Sequence, residues 1–76
     1  MDVREVNMNV IIEIESAQVE DIARRFQQSE PNGKKNWILK NKGLLVGKQV
    51  DVYLLHTAVQ LIFNVDPTAI IRIVKQ

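Results

Sequence analysis

HTAVQLIFNVDPTAIIRIV, residues 56–74, is the most apolar stretch of the chain, and it reads in two ways. As a strand, Val59, Leu61, Phe63 and Val65 alternate with Ala58, Gln60, Ile62 and Asn64. Only two of that second set are polar, which is poor alternation for a half-buried strand. As a helix, Ala58, Leu61, Ile62 and Val65 fall at i, i+3, i+4 and i+7, and Gln60 and Asn64 share the opposite face. Thr57 is placed to cap it. The β-branched content argues for a strand, but the pattern favours the helix. Pro67 ends it, because proline within a helix forfeits a hydrogen bond. AIIRIV, residues 69–74, then forms the last strand. Its faces are Ile71 and Ile73 on one side, and Ile70, Arg72 and Val74 on the other.

The segments before this stretch follow simpler patterns. Val6, Met8, Val10, Ile12 and Ile14 alternate with Asn7, Asn9, Ile11 and Glu13, which predicts a strand over 5–14. Ser16 is a candidate N-cap. Val19, Ile22, Ala23 and Phe26 form one stripe of a helix over 17–28. Glu20 and Asp21 suit its positive end, and the Glu20–Arg24 and Asp21–Arg25 spacings favour ion pairs. Pro31 closes that helix and PNG makes a turn. NWILK (36–40) and GLLVG (43–47) predict two short strands, turning at Asn41–Gly43 or at Gly47–Lys48. QVDVYLL, 49–55, predicts a further strand with Val50, Val52 and Leu54 on one face. The element order is β-α-β-β-α-β, an α+β chain folded as a two-layer, open-faced α/β sandwich. One domain spans 1–76.

Composition bounds the function. A chain of 76 residues buries only roughly 60% of its unfolded surface, so its stability margin is thin. It contains no cysteine, hence no disulfide and no thiolate metal site. MDVREVNMN carries charge where a secretory signal needs an apolar run, and no run reaches the roughly 20 apolar residues of a membrane span. A cytoplasmic location without membrane contact is the expectation. The net charge of +1 makes no case for nucleic acid over the whole chain, but the charge is unevenly placed. Residues 1–30 carry a net −4, and residues 31–50 carry Lys34, Lys35, Lys40, Lys42 and Lys48 with no acid.

VIIEIESAQVEDIARRF (10–26) and GKQVDVYLLHTAVQLIFNVDPTAIIRIV (47–74) resemble the HPr-like family, the histidine phosphocarriers of the bacterial sugar phosphotransferase system. In that family an apolar pair ends the second helix, an acid follows in the loop, and an apolar strand comes next. Ile62–Phe63, Asp66 and Ile70–Val74 occupy those places. The resemblance implies a bacterial, cytoplasmic chain with an HPr-like fold. Active members carry a Gly-Leu-His-Ala-Arg-Pro-like stretch between first strand and first helix, where the histidine takes a phosphoryl group. This chain has ESAQVED there, with no histidine, arginine or proline. Glu15, Glu20 and Asp21 repel phosphate. The resemblance therefore implies a relative without phosphocarrier activity, neither an enzyme nor a cofactor carrier, acting through protein contacts or regulation.

Other candidate sites are few. His56 is the sole histidine, so a paired-histidine metal site is excluded. A base also needs a nucleophile and an orienting partner, and spacing supplies neither. Its plainer role is that of a strand-end histidine capping or packing by the second helix. Glu13, Glu15, Glu20 and Asp21 could form a metal site or an acid/base pair, but the plainer reading is a solvated helix start stabilised by the dipole. KNKGLLVGK (40–48) lacks the spacing and hydroxyl of a phosphate loop. Lys34, Lys35, Trp37, Lys40 and Lys42 form the sharper alternative. Lysines can contact phosphates while an exposed indole stacks on a base, a small nucleic-acid-binding module. Against it, Trp37 can be core and the lysines a protected sheet edge. A protein partner, including a second copy of the chain, is the remaining expectation, with Ile70 and Val74 on the last strand as its place.

Overall fold

The computed structural model describes residues 9–75. It is a small α+β fold with a four-stranded antiparallel sheet and three helices. Along the chain come β1 (Asn9–Glu15), α1 (Val19–Ser29), α2 (Gly33–Asn36), β2 (Trp37–Asn41) and β3 (Leu44–Asp51). A 3-10 turn (Val52–Leu54), α3 (Leu55–Val65) and β4 (Ile70–Lys75) complete it. The sheet order is β2-β3-β1-β4. The first four residues of the strand expected over 5–14 lie outside the described residues.

Strand alternation and register place the core. Val10, Ile12 and Ile14 of β1 are buried, with Leu45 and Val50 of β3 as their neighbours. Val19, Ile22, Ala23 and Phe26 of α1 and Ala58 and Ile62 of α3 pack into the same cluster. Burial of each large aliphatic or aromatic side chain contributes about 1.5–3 kcal/mol. The other sheet face, with Ile11, Glu13 and Glu15 of β1 and Leu44 and Val46 of β3, contributes nothing to that cluster.

The opening stretch is helical from Leu55 to Val65, as the i, i+3, i+4 pattern predicts. Thr57 does not cap it. The helix begins two residues earlier, from the 3-10 turn, and no side chain caps it. That turn also corrects the strand expected over 49–55. The Asp51 carboxylate accepts the Tyr53 amide at 2.9 Å, which folds the chain out of the sheet before Val52. Residues up to Asp51 belong instead to a long β3 that starts at Leu44, after a turn through Lys42 and Gly43.

Two glycines let elements meet closely. A Cβ on Gly33 would lie 2.5 Å from the Gln27 Cα, so α2 abuts the last turns of α1. A Cβ on Gly47 would lie 2.6 Å from the Trp37 ring. Ser16 was the candidate cap for α1, but its hydroxyl is engaged differently. It accepts the Gln18 amide at 2.8 Å and donates to Asp66 Oδ2 at 2.5 Å, tying the β1–α1 loop to the α3–β4 loop. Asp66 also accepts the Thr68 amide at 2.9 Å and the Thr68 hydroxyl at 2.6 Å. The Ser16 hydrogen bond, then those from Thr68, hold the Asp66 carboxyl below the usual carboxylate range.

Candidate interaction surface

The expected basic site separates into unlike parts. Trp37 is not an exposed stacking platform. It is 2% exposed, its ring lies parallel to that of Phe26 with centroids 3.9 Å apart, and Gln27 Nε2 donates to its carbonyl at 2.9 Å. Its indole N–H points to Glu30 Oε1 at 3.4 Å. The ring is buried because β2 pairs Trp37 with Gly47, and the missing side chain of Gly47 leaves room for it. Lys34 and Lys35 stand exposed on α2, Lys40 on β2 and Lys42 in the following turn. The base-stacking element of a nucleic-acid module is therefore absent from this cluster.

Lys40 has a specific place. In the β2–β3 ladder Leu39 pairs with Leu45 and Asn41 with Leu44, so Lys40 is the extra residue of a bulge on an outer strand. A bulge carrying a lysine is a device that discourages further strand pairing.

The opposite edge is built differently. β4 pairs with β1 over six positions, from Glu15–Ile70 to Val10–Lys75. Directly opposed residues share a face. Ile71 and Ile73 therefore share the helix-side face with Ile14 and Ile12, and Ile70, Arg72 and Val74 share the open face with Glu15, Glu13 and Ile11. Among the described residues nothing pairs with the far side of β4. Ile70 is 55% exposed, Ile73 51% and Val74 42%, so aliphatic side chains meet solvent on both faces of this strand. Arg72 alone interrupts them. Its Nε donates to Glu13 Oε1 at 3.2 Å and its Nη2 pairs with Glu15. Those hydrogen bonds, Glu15 first, raise the guanidinium pKa further. Glu13 and Glu15, two of the four acids considered above, thus share one arginine across the sheet.

Chemical machinery is sparse elsewhere. His56 is exposed in the first turn of α3. The Ser16 hydroxyl donates to Asp66, an arrangement that restrains loops. A cleft of about 370 Å³ lies between α1, the end of β3 and α3. Phe26, Trp37, Val50, Leu54, Ala58 and Leu61 line it, with Glu30 and Asp51 among its polar residues. Both carboxylates already accept hydrogen bonds, from the indole and from the Tyr53 amide. Among the described residues, no three His, Cys, Asp or Glu side chains gather as a metal group, and no helix is long and apolar enough to cross a membrane.

No protein-family model, curated protein or solved structure matches the chain. Its surfaces alone carry the functional reading.

Proposed function

We propose that this chain is a non-catalytic protein-interaction module that receives a partner strand along β4. The observation that carries the reading is the aliphatic exposure on both faces of an edge strand. A strand apolar on both faces has the composition of a sheet interior. An edge strand of that kind offers backbone donors and acceptors for strand addition, and its alternate side chains supply packing on either side. The charge distribution supports the same choice of edge, since the lysine-bearing bulge is on β2. Kinship with the HPr-like family is part of this proposal only as far as the apolar spacing of two segments goes. The stretch ESAQVED supports a non-catalytic role within that kinship, and no step of the strand-addition argument depends on it.

The test uses a fluorescent peptide copying AIIRIVK (69–75), flanked by solubilising lysines, titrated with the protein while its anisotropy is read. Saturable binding with a Kd on the order of 10–100 μM is expected, and the Ile73→Lys variant should weaken it at least about tenfold. Absence of binding up to about 1 mM, or equal binding of a scrambled peptide, overturns the reading.

A further inference from the structure

The strand that β4 receives has a definite source: we infer that it is β4 of a second copy, paired antiparallel about a two-fold axis at Arg72. This rests on the edge-binding reading above and adds the partner and the register.

Three features lead to a second copy. The first is the asymmetry of the two edges. A chain with two open edges would stack without end, whereas one with a single open edge closes as a two-fold dimer. Here β2 carries the Lys40 bulge and β4 does not, so pairing stops at two copies. The result is one eight-stranded sheet made from two of four.

The second feature is register. Helices stay on one side of a joined sheet only if opposed residues share a face, and a slip by one residue turns every side chain over. An axis at Arg72 sets Ile70 opposite Val74 of the second copy on the open face. It sets Ile71 opposite Ile73 of the second copy on the helix side. Every aliphatic residue of the strand from 70 to 74 then meets another aliphatic residue. An axis at Ile71 or Ile73 would instead set Arg72 opposite Ile70 or Val74.

The third feature is charge. Two arginines meeting on an axis repel each other unless compensated. Each Arg72 arrives already paired with Glu13 and Glu15. The centre of the dimer therefore holds two guanidiniums among four carboxylates, all at a solvated face. A six-residue edge is far fewer than the roughly 20–30 residues a side of a standard interface, so the dimer should dissociate in the micromolar range.

Sedimentation velocity from about 1 μM to 1 mM tests the association, and cysteine pairing tests the register. The chain has no cysteine of its own. Ile70→Cys and Val74→Cys are both at exposed positions, so neither should disturb folding. Mixed and oxidised, the two variants should form a heterodimeric disulfide, since directly opposed residues have Cα atoms about 4.5–5.5 Å apart, within the roughly 4.4–6.8 Å that a disulfide spans. Each variant alone should cross-link at least about tenfold less, because its own copies are offset along the strand. Weight-average mass should rise from monomer to dimer and stop there, and Ile73→Lys should abolish the rise. A monomer across the whole range overturns the second copy as partner; if the peptide still binds, strand addition at β4 survives that result. Loss of both overturns the two readings together. A dimer whose cross-links ignore the mixing of variants overturns the axis at Arg72.

Discussion

Gly47→Ala would test why Trp37 is inside the protein at all. A Cβ at this position would lie 2.6 Å from the ring Cζ3, 2.8 Å from Cη2 and 3.0 Å from Cε3, where ordinary contact begins at 3.4 Å. The indole must therefore retreat or β3 must bend. Retreat is blocked, because Phe26 stacks on the ring with centroids 3.9 Å apart and planes within 5°. Bending is opposed by pairing on both sides, to Ile12 of β1 and to Trp37 itself. Forcing an extra carbon into such a site costs about 1–3 kcal/mol. Replacing a mid-strand glycine recovers roughly 0.5–1 kcal/mol of backbone entropy. The net expectation is a loss of about 1–2 kcal/mol. With a urea slope near 1 kcal/mol/M for a chain this small, the midpoint should fall by about 1–2 M. Trp37 fluorescence follows the transition directly, as it is the single tryptophan. Gly43→Ala is the control: its Cβ would meet nothing within 4 Å, so it should leave the midpoint almost unchanged. An unchanged or raised midpoint in Gly47→Ala would refute the account of the indole seat.

Phe26→Ala should cost about 3–5 kcal/mol by removing the other half of the stack, and should shift native Trp37 emission to the red. Both are read by fluorescence-detected unfolding. Asp66 governs part of the acid response. Its folded pKa lies below the ordinary 3.8, so its contribution is present above that value and disappears as pH falls through the folded pKa. Asp66→Asn should therefore flatten the loss of stability below about pH 4, measured as melting temperature against pH. Short single-stranded oligonucleotides should not produce a saturable, salt-sensitive quench of Trp37, because the ring is buried. Such a quench would favour the basic cluster as a binding site over the β4 edge. Lys40→Val should open the β2 edge, and light scattering should then show growth past the dimer with rising concentration.

Much of the fold was legible where one period dominated. The 3.6-residue stripe of Val19, Ile22, Ala23 and Phe26 gives α1, and that of Ala58, Leu61, Ile62 and Val65 gives α3. Alternation gives β1 and the two faces of β4. Val50, Val52 and Leu54 also alternate, yet the last two belong to a 3-10 turn, because the Asp51 carboxylate captures an amide that a strand would need. A short apolar run cannot reveal such a local competition. For α1 the spacing suggested two ion pairs; Asp21 takes both arginines, Arg24 at 3.3 Å and Arg25 at 3.4 Å. The basic cluster reads as a site because its lysines flank an aromatic residue in sequence, and burial removes only that aromatic, Trp37, from it. The sign that Trp37 is core was available in Gly47, since a glycine within a strand pattern often marks a close approach. The Ser16–Asp66 tie spans fifty residues of sequence, and no local pattern announces it. The β4 edge was half legible. Ile70 and Val74 stood out as an aliphatic face, but that β4 is outermost follows from the strand order.

Amide hydrogen exchange along β4, measured at two protein concentrations far apart, addresses the central claim most directly. Half of the amides in an edge strand bond inward to the neighbouring strand and the others point outward. If β4 joins a second copy, the outward amides between Ile70 and Val74 should gain protection as concentration rises. Those of β2, from Trp37 to Asn41, should not change. Outward β4 amides that exchange as fast at high concentration as at low would contradict the account.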